Sequence, residues 1–250
     1  MNAAALALAG ALLGAIVGSF LGAILLRWPA GRSIARGRSA CDGCGRSLGP
    51  AELVPHLSYA VLRGRCRSCG ARIDPRQPMM EAAGAGLGAL ALAAHGVPLG
   101  LATALFGWWL LILAALDAEH QWLPDLLTLP LALAGLAAGA LELGPPLEER
   151  AVGAAAGYLS LAGIALLYRV LRGRDGLGGG DPKLFGAIGA WLGWTMLPFV
   201  LLGAGLAGLA AIALKRARGE RIAADDRLPL GTLMALAAWP LWLLAPRLAP

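Results

Sequence analysis

The stretch GGGDPKLFGAIGAWLG, residues 178–193, sets Asp181, Pro182 and Lys183 at the head of a run apolar enough to enter a bilayer. A carboxylate at a membrane boundary is costly to keep and is a functional candidate by default. The rest of the chain has the same apolar character: of 250 residues 58% are hydrophobic and only 14% charged, and mean hydropathy is +0.68. An ordinary soluble domain is excluded by this composition. Apolar runs of about 17–25 residues match the roughly 30 Å of hydrocarbon a helix must cross. They fall at Ala3–Leu26, Pro78–Ala94, Pro98–Leu116, Leu126–Leu143, Ala151–Tyr168, Leu184–Met196, Leu197–Leu214 and Leu228–Ala245, the sixth being short and closed by a turn at residues 194–198. The expected fold is all-α: a polytopic membrane helix bundle of about eight transmembrane helices. The first run has no charge before Arg27 and basic residues after it, so it reads as a retained helix and not a cleaved signal peptide.

Ten arginines lie between Arg27 and Gln77, with Arg169, Arg172, Arg174 and Lys183 after the fifth run and Lys215, Arg216, Arg218, Arg221 and Arg227 after the seventh. These are 19 of the 21 Lys and Arg residues, all on one side of an eight-helix topology. The positive-inside bias assigns that side to the cytoplasm and both termini to the outside, with Trp28 and Trp122 at interfacial positions. Topology therefore accounts for the net charge of +6 without a nucleic-acid partner, and the arginine-rich loops can attract anionic lipid headgroups.

All four cysteines sit in the first cytoplasmic segment, as CDGC (Cys41, Cys44) and CRSC (Cys66, Cys69), each pair followed by glycine and 21 residues apart. Two such turns complete a tetrahedron of thiolates, and a reducing compartment favours zinc over disulfides. Four sulfur ligands close the coordination shell, so the metal is structural: it folds a loop too rich in Arg, Gly and Pro to build its own core.

The third run ends in LDAEHQWLPD, which supplies Asp117, Glu119, His120 and Asp125; the fifth connection supplies Asp175 and Asp181. Asp125 and Asp181 adjoin prolines at expected helix N-termini, where acidic side chains cap free N–H groups. Asp117 lies at the negative end of a helix dipole, and capping does not account for it. The glycines before Asp181 match neither a Walker loop nor a dinucleotide fingerprint; their use is close backbone approach, as to an extended substrate strand. Two carboxylates at the ends of separate helices can share one proton, one acting as base on water and the other as acid toward a scissile carbonyl.

GSFLGAILLRWP (residues 18–29), the paired CxxC motifs with LRGRCRSCG (62–70), PMME (78–81), LDAEHQWLPD and GGGDPKLFGAIGAWLG together resemble the bifunctional prepilin peptidases, also called type IV leader peptidases or prepilin N-methyltransferases, of the GxGD aspartic peptidase class. The resemblance implies a bacterial inner-membrane enzyme that removes the basic leader from type IV prepilins or type II secretion pseudopilins at the cytoplasmic face. It further implies methylation of the new N-terminal amine with S-adenosylmethionine. Asp117 and Asp181 are then the catalytic dyad, with Asp125 and Lys183 as auxiliary residues. Glu81, an acid near the boundary, is a candidate contact for the methyl donor or the substrate amine. Residues 1–95 form a methyltransferase-associated region with the zinc loop, and residues 96–250 the peptidase domain. The opposite helix-end dipoles assign the proton to Asp117 and the water-activating charge to Asp181. Two other classes compete: a proton-coupled transporter, which calls for an inverted repeat that the sequence lacks, and a non-enzymatic pilus or secretion assembly protein docking through the zinc loop.

Overall fold

A computed structural model describes residues 2–34, 39–220 and 228–248; Arg36, Arg38, Arg221 and Arg227 of the basic segments lie outside them. Each apolar run forms a helix: α1 (Ala3–Arg27), α3 (Arg76–His95), α4 (Leu99–His120), α5 (Asp125–Ala140), α6 (Leu147–Arg172), α7 (Asp181–Leu192), α8 (Leu197–Ala217) and α9 (Leu230–Leu248). A short α2 (Leu57–Val61) lies in the cysteine segment. Among the described residues there is no strand, only two isolated bridges, Ala40 with Ser47 and Arg65 with Arg72.

Not every run has the length of a span. Four helices are long and apolar enough to cross a membrane: α1, α4, α6, and α8 together with the 3₁₀ turn Trp194–Met196 that precedes it. The helix of the opening stretch is the clearest exception. Gly193, at φ +76°, ends α7 after 12 residues, about 18 Å at 1.5 Å per residue. Hydropathy continues through that glycine, whereas the helical ladder does not.

The chain divides into two compact units, Met1–Ile112 and Leu113–Pro250. In the first, α1 and α3 pack along a stripe of glycines. A Cβ on Gly10 would lie 2.2 Å from the Gly88 carbonyl oxygen, one on Gly14 2.1 Å from that of Gly84, and one on Gly18 2.3 Å from that of Met80. Trp108 Nε1 donates to the Gly84 carbonyl at 2.9 Å. Lipid is as apolar as leucine, so backbone approach and interhelical hydrogen bonds hold such a pair together.

In the second unit α7 is the buried centre, with α5, α6 and α9 packed on it. Every residue from Leu184 to Leu192 is buried. Small residues again set the spacing: a Cβ on Gly189 would sit 2.1 Å from the Gly153 carbonyl oxygen, and one on Gly157 2.7 Å from that of Phe185. Trp191 Nε1 donates to the Leu131 carbonyl at 2.9 Å, tying α7 to α5. A half-length helix wrapped in this way fixes its first residue, Asp181, below the surface of the unit.

Candidate active site

Asp117 sits in the last turn of α4, which stops at His120. Its side chain is 5% exposed and turns toward the first turn of α9. The Thr232 N–H donates to Asp117 Oδ2 at 2.7 Å. The Thr232 hydroxyl lies 2.8 Å from the Ala114 carbonyl oxygen and 3.2 Å from Asp117 Oδ2. With one proton, that hydroxyl can donate to Ala114 and accept from a protonated Asp117, or turn and donate to its carboxylate. Gly231 makes the approach possible, since a Cβ there would be 3.0 Å from Asp117 Oδ2 and 2.9 Å from Leu123 Cδ1.

Asp181 is the first residue of α7, after Gly180 as N-cap. The cap expected of its side chain does not form. It reaches back instead, and Oδ2 accepts the Gly178 N–H at 3.1 Å. The glycines give it room: a Cβ on Gly178 would lie 3.0 Å from that oxygen, and one on Gly180 2.6 Å from Leu123 Cβ. Burial, and then the charge of Asp117, push the Asp181 carboxyl up to about 6. The two acids are therefore close enough to sense each other.

The surroundings of the two acids differ from those that their own helix ends alone would provide. Asp117 is at the negative end of its own helix but meets free N–H groups at the positive end of α9, where an anion is favoured. Asp181, among the described residues, accepts only the Gly178 N–H. A 2.7 Å hydrogen bond to a carboxylate outweighs a dipole contribution of about 0.3–1 kcal/mol.

Lys183 and Asp125 pair with each other: Nζ lies 2.7 Å and 2.8 Å from the two carboxylate oxygens, joining the first turn of α7 to the start of α5. Asp125 makes no cap bond. Both side chains are partly exposed, so the pair is worth about 1 kcal/mol or less. Glu119 and His120 lie 3.8 Å apart and exposed at the end of α4, and Asp175 pairs with Arg169 at 2.7 Å. Thr232 escaped the sequence reading. Its only signal is a hydroxyl in the first turn of an apolar run, after Pro229 and Gly231.

The cysteine segment repeats one turn twice. Cys41 N donates to Arg46 O and Gly45 N to Cys41 O; Cys66 N donates to Ala71 O and Gly70 N to Cys66 O. Gly45 and Gly70 both have φ +71°, the left-handed conformation that folds each chain back. The four Sγ atoms lie within 4.8 Å of one another, and Cys41 and Cys69 are 3.7 Å apart. Zinc–sulfur bonds of about 2.3 Å in a tetrahedron need sulfurs about 3.8 Å apart, so the set fits zinc. N–H groups of Cys69 and Ser68 aimed at Cys66 lower its thiol to about 6, toward the thiolate a metal binds.

Residues 12–95 match the family described as the bacterial peptidase A24 N-terminal domain, and residues 104–213 match the type IV leader peptidase family. A prepilin leader peptidase/N-methyltransferase of Burkholderia pseudomallei (strain K96243) is 46% identical over 209 residues, 83% of this chain and 67% of that one. One from Klebsiella pneumoniae is 45% identical over 181 residues, 72% of this chain and 79% of the relative. One from Pseudomonas aeruginosa is 39% identical over 204 residues, 80% and 69%. No solved structure matches the chain.

Proposed function

The chain belongs to the type IV leader peptidase family, and from that membership we propose that it is an aspartic endopeptidase that removes the leader of type IV prepilins or type II secretion pseudopilins and then N-methylates the new N-terminus. The observation that carries the peptidase reading is the pair of buried carboxylates, Asp117 and Asp181, with the charge of one raising the proton affinity of the other. Asp117, its carboxylate bonded by the Thr232 N–H, takes a proton from the attacking water; Asp181, in its protonated form, donates to the scissile carbonyl oxygen. Water oxygen then bonds to the carbonyl carbon. Collapse of the tetrahedral adduct breaks the C–N bond; the proton gained by Asp117 passes to the leaving amine, and the proton lent to the carbonyl oxygen returns to Asp181 as C=O re-forms. The two titrations belong to the pair.

Asp125 and Lys183, paired with each other, position α5 against α7. Zinc at Cys41, Cys44, Cys66 and Cys69 would hold the two knuckles together. S-adenosylmethionine supplies the methyl group as an electrophilic carbon on positive sulfur. We assign residues 1–95 to methyl transfer and 96–250 to the peptidase; the separate family matches over residues 12–95 and 104–213 support a boundary in that region. The eight-helix topology, with the dyad facing the cytoplasm of the bacterial inner membrane and both termini outside, rests on the arginine distribution.

The test is cleavage of a type IV prepilin by membranes containing wild type, Asp117→Asn or Asp181→Asn, with mass analysis of the new N-terminus. Cleavage lost in both variants, and a gain of one methyl group on the wild-type product, is the expected result. Asn variants that cut as fast as wild type overturn the peptidase reading, and an unmethylated wild-type product overturns the second activity.

A further inference from the structure

The first unit holds a third buried acid, after Asp117 and Asp181, and its surroundings differ from those of every charge near it. Between the C-terminal half of α1, the cysteine segment and the start of α3 lies a cavity of about 180 Å³, whose walls include Ser19, Ala23, Arg27, Arg72, Gln77 and Glu81. The other acids around it are neutralised: Asp42 by Arg32 at 2.5 Å, Glu52 by Arg46 at 2.5 Å, Asp74 by Arg76 at 2.6 Å. Glu81 is 6% exposed, and no Lys or Arg among the described residues pairs with it. Its nearest basic group is His56 Nδ1 at 3.8 Å.

The carboxylate is nevertheless held in place. The His56 N–H donates to Oε2 at 2.9 Å, and Gln77 Nε2 lies 3.4 Å from Oε1. Gln77 is itself oriented by α1, donating to the Ser19 carbonyl at 2.9 Å. A buried anion costs several kcal/mol unless a cation or enough donors meet it. An oriented, buried carboxylate on a cavity wall, paired with no Lys or Arg among the described residues, is a site for a cationic ligand.

We propose that this cavity binds the sulfonium methyl donor, with the Glu81 carboxylate against its positive sulfur. The inference rests on the N-methyltransferase reading and adds where the donor sits. It also gives the zinc knuckles a use: Cys41 and Cys66 line the same cavity, so a metal across the four sulfurs fixes one of its walls.

Equilibrium binding of radiolabelled S-adenosylmethionine to the full-length protein in detergent tests this, with S-adenosylhomocysteine, whose sulfur is neutral, as the competing ligand. Glu81→Gln should weaken S-adenosylmethionine at least 10-fold and S-adenosylhomocysteine less than 3-fold. Ala23→Phe, which fills the cavity from α1, should weaken both at least 10-fold; thermal unfolding reports that each variant is folded. Unchanged S-adenosylmethionine affinity in folded Glu81→Gln, or in folded Ala23→Phe, overturns the site. Equal loss of both ligands in Glu81→Gln overturns the sulfonium contact, because both carry the same amino-acid ammonium. In these cases a wild type that still methylates leaves the methyltransferase reading standing; a wild type that binds neither ligand and does not methylate overturns both.

Discussion

The second unit buries charge in two places, and the two are built on opposite terms. Arg150, near the start of α6, is 0% exposed, with no carboxylate of the described residues paired to it. Nε donates to the Pro145 carbonyl at 2.8 Å, Nη1 to those of Gly135 at 2.8 Å and Ala190 at 3.4 Å, and Nη2 to that of Leu143. Its guanidinium lies 5.2 Å from the centre of the Trp242 ring. The donors of one planar fork thus bind together the loop after α5, the end of α7 and the face of α9. Asp181 has one donor and a like charge for a neighbour. A buried charge whose bonding capacity is used up is a structural staple; one left short of partners is available for chemistry.

The contrast can be broken at either member. The largest effect belongs to the dyad: Asp117→Asn or Asp181→Asn should lower the prepilin cleavage rate by about 10⁴-fold, the upper range for one acid–base group. Neither should lower the unfolding midpoint measured on purified protein; a large drop would make the acids structural and erase the distinction. Next comes Arg150→Met, which leaves four carbonyls without their donor and should lose about 3 kcal/mol in a denaturant or thermal titration. Arg150→Lys should recover little of it, since an ammonium cannot reach several carbonyls at once.

A smaller effect tests the packing that supports both. Gly189→Ala, whose Cβ would meet the Gly153 carbonyl oxygen at 2.1 Å, should cost about 2 kcal/mol by forcing α6 and α7 apart. Gly163→Ala, on the same helix as Gly153 but facing open space, should be neutral or slightly stabilising. The smallest is a pH effect. The folded-state pKa of Asp181, about 6, lies above its ordinary value of 3.8. Its protonation therefore stabilises the fold in full below about pH 4, and that contribution is lost as pH rises through about 6. Asp181→Asn should unfold at a higher temperature than wild type at pH 7.5, by roughly 2 kcal/mol at most, and the gap should close at pH 4. A gap that widens on acidification reverses the assignment of the proton.

The features legible in the sequence are those written locally. Asp117, Asp181 and the paired CxxC turns each occupy one short stretch with its own glycines, and the glycine spacing of α1 is regular at residues 10, 14, 18 and 22. What escaped depends on partners far along the chain. Thr232 is 115 residues from the aspartate it serves. Arg150 follows two glutamates near a loop, where a lone arginine looks solvated, and only the folded chain brings four carbonyls around it. The short sixth run ends as a helix a few residues before its hydropathy does: a hydropathy window runs across Gly193, although the backbone there turns to φ +76°. The contact of Asp117 with the first turn of α9 is likewise invisible to a reading that weighs each acid against its own helix.

The glycine stripe between α1 and α3 has a consequence for how the chain is made. Its two halves are separated by residues 28–75, so α1 waits in the bilayer while that segment is synthesised and α3 follows. An arginine- and glycine-rich tether left unfolded gives its ends an effective concentration that falls with its contour length. Two knuckles drawn onto one ion would shorten the tether to the span of a compact loop. On this view the supply of metal during biosynthesis sets how quickly the first helix finds its partner, and starving cells of zinc should delay that pairing before it alters any chemistry.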